Sequence, residues 1–223
     1  MSISTNLNNI KSQIPEHVKL VAVSKTKSIE DILEAYNAGQ RVFGENKIQE
    51  MVDKHEKMPK NIQWHMIGHV QRNKVKYMAS FVSLIHGVDN FKLLKEINKQ
   101  AEKHNRIIDC LFQLKIAEED SKFGMTEQEI VAIVNSSEFS EMKNINIVGL
   151  MGMATFTDNQ NQIKEEFSSL KSTFSTLSTQ NYFNFNPEVL SMGMSGDFQL
   201  AIECGSNMIR IGSTIFGARN YTN

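Results

Sequence analysis

Eight times along this chain of 223 residues, a short apolar run is followed by a stretch with helical spacing. The runs lie at 19–24, 41–44, 63–67, 82–87, 107–114, 145–151, 189–191 and 208–211. Helical patterns follow at 28–38, 46–57, 73–81, 91–104, 126–136, 160–177 and 197–204, and a short turn follows the last run. Strands that are each followed by a helix pair in parallel and are covered on both faces. Eight such units in one domain predict a sheet closed into a (β/α)8 barrel, with an open doubly wound sheet carrying extra strands as the alternative. The length is near the lower end for a barrel and leaves nothing for an added domain. Ahead of the first run, Ile3, Leu7, Ile10 and Ile14 are spaced as on one face of a helix, and Pro15 stops it. An extra N-terminal helix is therefore expected over residues 1–15.

The three prolines are scattered, and no Gly/Ser-rich or Pro-rich stretch divides the sequence, so residues 1–223 are read as one domain. With 24 basic and 25 acidic residues the net charge is −1, which leaves no cationic excess for a nucleic-acid backbone or an anionic membrane. Cys110 and Cys204 stand apart among apolar neighbours and have no Cys/His spacing that suggests a disulfide or a metal site. No apolar run approaches the roughly 20 residues that span a bilayer. A cytoplasmic protein that binds neither metal, nucleic acid nor membrane is expected, and a monomer is the simplest assembly.

In a barrel of this kind, chemistry sits at the C-terminal ends of the strands. Gly44, Gly68, Gly87, Gly152, Gly193 and Gly212 fall at six of those ends, half of the chain's 12 glycines. Some of these do no more than end a strand, but together they make one face rich in accessible backbone. After the seventh run, Ser191, Gly193, Ser195, Gly196 and Asp197 precede a helix, and after the eighth come Gly212, Ser213 and Thr214. Ser195 and Asp197 could serve only as helix caps. However, the loops after strands seven and eight are where barrels commonly hold phosphate. Lys25 closes the first run with Lys27 close behind. Partial desolvation and a like-charged neighbour both favour a neutral, nucleophilic amine, although an exposed loop lysine is the ordinary case. Arg210, one of five arginines, lies between Ile209 and Ile211, where its guanidinium needs buried partners. A phosphorylated aromatic aldehyde would satisfy Lys25, Arg210 and both loops, and pyridoxal 5'-phosphate (PLP) is the common cofactor of that description.

Five segments match one family in type, order and spacing: Ala22-Val23-Ser24-Lys25-Thr26-Lys27, Phe43-Gly44-Glu45-Asn46, Trp64-His65-Met66-Ile67-Gly68, Gly193-Met194-Ser195-Gly196-Asp197, and Arg210-Ile211-Gly212-Ser213 with Ile215-Phe216-Gly217. Over nearly its whole length the sequence resembles the pyridoxal phosphate homeostasis proteins. The resemblance implies the type III PLP fold, a barrel like the N-terminal domain of alanine racemases, with Lys25 as the Schiff-base lysine. It implies that Arg210 faces the pyridine nitrogen, that Ser195, Gly212 and Ser213 hold the phosphate, and that Asn46 and Ser191 lie close by with Gly193. The implied role is non-catalytic: a protein of intracellular vitamin B6 homeostasis that buffers PLP and passes it to PLP-dependent acceptor enzymes. Ser28, Asn207 and Asn220 depart from the family's usual proline, threonine and aspartate. The first departure questions the rigidity of the loop after Lys25, and the last that of the chain end.

Two enzymatic readings stand beside this one. A PLP-dependent racemase or lyase would use Lys25 as its base and need a second acid or base, for which His65 and His69 are candidates. Racemases of this fold add that base from another domain, for which this chain has no room. A cofactor-free isomerase would need a carboxylate such as Glu45 at a strand end and leaves Lys25 unexplained. Met151, Met153, Met192 and Met194 could line a soft pocket wall, although core filling is the plainer expectation. Lys122, in Asp120-Ser121-Lys122-Phe123-Gly124, matches a family position and is a candidate transfer or anion contact, though an exposed loop lysine is the plainer expectation.

Overall fold

Eight parallel strands close on themselves in the order of the sequence in a computed structural model, which describes residues 2–119, 123–180 and 182–218. The strands are β1 Lys19–Val23, β2 Val42–Glu45, β3 Gln63–Met66, β4 Leu84–Val88, β5 Ile108–Gln113, β6 Ile145–Met151, β7 Phe185–Ser191 and β8 Met208–Ile211. Closure is made by β1 against β8, in register from Lys19 opposite Met208 to Ala22 opposite Ile211. The barrel is thus the expected one, and the open sheet is excluded.

The helices are α1 Ile3–Lys11, α2 Ile29–Asn37, α3 Ile48–Lys57, α4 Phe91–Lys103, α5 Glu127–Val134, α6 Ser137–Ser140, α7 Gln160–Ser178, α8 Phe198–Glu203 and α9 Ser213–Phe216. Helix α1 ends at Lys11, before Pro15, and buries Leu7 and Ile10; its Asn6 Nδ2 donates to Ile215 O of the short α9 at 3.1 Å. The extra helix therefore covers the place where the last unit has only one turn of its own. Ser28, in the loop whose rigidity its identity put in question, caps α2 by accepting from Asp31 N at 3.2 Å.

Alternation along each strand sorts the apolar residues into two layers. Leu20, Ala22, Phe43, Trp64, Ile85, Phe112, Leu150, Ile209 and Ile211 join the core between sheet and helices. Val21, Leu84, Leu111, Met151 and Met208 form a smaller cluster inside the barrel.

Three elements differ from the sequence expectation. Residues 73–81 hold a 3-10 helix, Arg72–Tyr77, in place of an α-helix, since Val75 is its one buried residue and cannot anchor an amphipathic stripe. Strand β7 begins at Phe185, four residues earlier than the apolar run, because Asn186, Pro187 and Glu188 disguise it. Pro187 is tolerated there: the pairing with β6 shifts register between Phe185 and Val189, and β8 pairs only at Ser191. Helix α6 is additional; Ser136 caps it and it buries Phe139. Of the strand-end glycines, Gly44 and Gly87 fall one residue inside their strands, while Gly152 and Gly212 directly follow theirs.

Candidate functional site

Where the strands end, Lys25, Asn46, Ser195, Arg210, Gly212 and Ser213 line one cavity of about 450 Å³. These are six of the eight binding residues expected from the sequence. Lys25 reaches the cavity because strand alternation points Val23 and Lys25 to the mouth and Ser24 outward, where its hydroxyl donates to Glu45 Oε1 at 2.6 Å. Lys27 also lines the cavity, and its ammonium donates to the carbonyls of Phe216 at 2.8 Å and Ala218 at 3.0 Å, which closes the C-terminal end of α9. Asn46 is placed by close contact between strand ends. A Cβ on Gly68 would meet Asn46 O at 2.5 Å, so only glycine lets β3 pass there.

The loops after β7 and β8 meet at Ser195, whose hydroxyl accepts from Gly212 N at 3.4 Å. Gly193 lies behind the cavity wall at φ +97°, and a Cβ there would stand 2.6 Å from Ala201 Cβ of α8. Its role is to turn the chain from β7 into the Ser195 loop. Asp197 occupies the N-cap position of α8 without a side-chain bond to that helix, contrary to the capping alternative, and Oδ1 accepts from Met194 N at 2.5 Å.

Arg210 has neutral partners. Its Nη1 donates to Ser191 O at 2.9 Å and Ser191 Oγ at 2.6 Å, and Nη2 to Gly152 O at 3.1 Å. Ser191 therefore stands behind Arg210, away from the cavity lining. The chain of contacts continues through the barrel interior, from Ser191 Oγ to His86 Nδ1 at 3.1 Å and from His86 Nε2 to His65 Nδ1 at 3.0 Å. A guanidinium only donates, so the Ser191 hydroxyl accepts from it while sharing a second hydrogen bond with His86 Nδ1. Burial holds His65 down to about 3, with Lys19 adding to the effect, and holds His86 well below the usual range, with His65 and Arg210 adding to it. Both rings are thus neutral at pH 7. Burial lowers Arg210 to about 10, offset in part by Asp197, so the guanidinium keeps its charge.

Neither histidine weighed as a second base lines the cavity. His65 is sealed inside the barrel, and His69 pairs with Asp89 at 2.8 Å and stacks on Phe123. Glu45 is buried on the outer side of β2, where it pairs with Lys54. Among the described residues lining the cavity, the titratable groups are Lys25, Lys27, Asp197 and Arg210. Lys122 lies outside the described residues, as does Asn220. The four methionines divide between their two expected roles: Met153 and Met194 line the cavity, whereas Met151 and Met192 are buried in the core; Val23, Ile67 and Phe156, which the sequence did not mark, complete the apolar wall.

Comparison with known proteins agrees with this geometry. The family of alanine racemase N-terminal domains matches residues 1–220. A pyridoxal phosphate homeostasis protein of Vibrio alginolyticus is 41% identical over 239 residues, covering 99% of each chain. The chain belongs to the pyridoxal phosphate homeostasis protein family. A solved structure of PipY from Synechococcus elongatus with PLP bound is 30% identical, with a TM-score of 0.88 over 97% of this chain and 100% of that one. Alanine racemase from E. faecalis shares the fold at a TM-score of 0.75 and 16% identity; the match covers 99% of this chain and 59% of the racemase. A homeostasis protein thus has the racemase barrel, with Lys25 and Arg210 facing one cavity. Among its described residues no helix is long and apolar enough to cross a membrane.

Proposed function

We propose that this protein binds PLP in the cavity at the mouth of the barrel, reversibly attached through Lys25, and so serves intracellular vitamin B6 homeostasis as a carrier. The observation that carries this is the convergence of the Lys25 amine, the Arg210 guanidinium and the Ser195, Gly212 and Ser213 loops on one cavity. The donor set fits the group. It offers an amine for an aldehyde, a fixed cation for an aromatic nitrogen, and hydroxyls beside glycine backbone for a phosphate. When bound, PLP supplies an aldehyde whose carbon is attacked by an amine nitrogen; the oxygen leaves as water, and water reverses the linkage. Lys25 presents that amine, and Met153, Met194 and Ile67 shield it on the apolar side. Arg210, with Ser191 and Gly193 behind the wall, holds a positive charge that a ring nitrogen cannot deprotonate. That arrangement disfavours the electron withdrawal on which amino-acid chemistry depends.

A carrier fits better than a racemase or lyase because a second acid or base opposite Lys25 has no counterpart in the cavity lining described. Lys27 is bonded to the carbonyls ending α9, and Asp197 accepts from Met194 N. We read the single barrel of residues 1–223 as the whole binding unit, a cytoplasmic monomer that delivers PLP to dependent enzymes. The test is the absorption spectrum of protein loaded with PLP, before and after borohydride, with Lys25→Ala beside it. One reduced adduct per chain on Lys25, absent from the variant, is expected. A variant that keeps the adduct quantitatively would overturn the assignment. Exchange of amino-acid α-protons with deuterated water separates carrier from enzyme, and appreciable turnover would refute the carrier reading.

A further inference from the structure

Lys25 is held from outside the barrel. Ser24, one residue before it, points away from the cavity, and the carbonyl of Ser24 accepts from Lys54 Nζ of α3 at 2.8 Å. One residue after it, Thr26 N donates to Glu50 Oε1 of the same helix at 2.6 Å. The two peptide groups flanking the Lys25 Cα are therefore both tied to α3. One plane fixes φ of Lys25 and the other fixes ψ. The brace is closed on itself: Lys54 Nζ also donates to Glu45 Oε1 at 2.8 Å and to Glu50 Oε1 at 2.7 Å, so three acceptors match its three protons. Thr26 adopts φ +63°, a left-handed conformation that a β-branched residue avoids unless its surroundings impose it. The Glu50 carboxylate on its N–H is such an imposition.

We propose that Glu50 is a positioning residue for Lys25, which fixes the root of the lysine side chain through the Thr26 amide and the Lys54 brace without touching the cavity. Glu50 is not among the residues lining that cavity. The proposal rests on Lys25 being the attachment lysine. Its physical content is orientation: a tethered amine reacts in proportion to the time it spends at the attacking geometry, and a free Ser24–Thr26 turn would spread it over other directions. Glu50 is also the member of the brace that can be changed safely. Its side chain is 24% exposed, against 0% for Glu45 and 7% for Lys54, and its removal leaves Lys54 still paired with Glu45.

The test compares Glu50→Ala and Glu50→Gln in the full chain, with two ligands. PLP reports attachment through its absorption band and borohydride trapping. Pyridoxine 5'-phosphate, which has no aldehyde, reports the phosphate and ring contacts alone. Glu50→Ala is expected to weaken PLP attachment by about tenfold or more, to leave pyridoxine 5'-phosphate within about twofold, and to be rescued by Glu50→Gln, whose amide oxygen still accepts from Thr26 N and Lys54. PLP attachment within twofold of wild type in Glu50→Ala would overturn the proposal. Equal loss of both ligands would also overturn it, since Glu50 would then act on the fold as a whole. Lys25→Ala, run in parallel, tests the premise separately: if it keeps the reduced adduct, the attachment reading fails whatever the Glu50 variants do, and the positioning role falls with it.

Discussion

Arg210 keeps its charge while buried because Ser191 and Gly152 give it three oxygen acceptors, and Ser191 is held in turn by His86. The hydroxyl of Ser191 is the hinge of this arrangement, accepting from the arginine and hydrogen-bonded to the histidine. Replacing it by hydrogen in Ser191→Ala removes one charge-assisted bond and leaves His86 Nδ1 buried without a partner. The expected destabilisation is about 1–3 kcal/mol, read from the urea midpoint, together with weaker PLP binding as Arg210 loses a restraint. An unchanged midpoint would show that the relay does not hold the arginine. In the sequence, Arg210 between two isoleucines marked itself as needing partners, yet those partners could not be named. They come from the end of β7 and the residue after β6, with His86 of β4 behind them, and contacts across the barrel interior leave no mark of spacing in the chain.

At the scale of elements, the loop from β7 into α8 is decided by Gly193. Its φ of +97° and the 2.6 Å approach that a Cβ would make to Ala201 Cβ combine backbone strain with overpacking against the helix. Gly193→Ala is expected to cost about 3 kcal/mol, roughly 6–12 °C in Tm for a domain of this size, and to lower PLP affinity by moving Ser195. Gly196→Ala, where a methyl group meets open space, serves as the control and should stay within about 0.5 kcal/mol in thermal unfolding. Both glycines stand in one short motif and look alike in the sequence; the φ angle and the packing of α8 separate them. The strands are legible in the sequence with the same unevenness. β6 and β8 match their apolar runs at both ends, since burial on both faces writes itself as a continuous run. The apolar run marks only the last three residues of β7, because Asn186, Pro187 and Glu188 belong to the stretch where the ladder slips and need neither burial nor a full set of hydrogen bonds.

Across the whole molecule, the barrel interior sets how stability responds to pH. Unfolded histidines take up protons near 6.5, whereas folded His65 holds out to about 3 and His86 stays well below its usual range. As pH falls below 6.5 the unfolded chain gains two protons that the folded barrel refuses, and the folded state loses stability. Glu45 works in the opposite sense: burial, opposed by Lys54, raises it to about 7 from 4.5, so between those values the folded state holds a proton that the unfolded chain has released. These three groups leave the unfolded state one proton in excess between about pH 6.5 and 4.5, and His55, also lowered by burial, adds in the same sense, so stability is expected to fall by at least about 1.4 kcal/mol per pH unit on acidification. Urea unfolding at a series of pH values checks this; a midpoint that is flat or rises toward acid would contradict neutral buried histidines. The sequence by itself determined the barrel and pointed to six of the residues that line the cavity at its mouth. It could do so because strand periodicity and strand ends are local properties, written in neighbouring residues. Only the tertiary structure decided that Ser191 and Gly193 lie behind the wall, that His65 is sealed in the barrel interior while Glu45 faces out of it, and that α3 grips the turn carrying Lys25. Those facts depend on which residues, far apart in the chain, are brought within hydrogen-bond distance when the sheet closes.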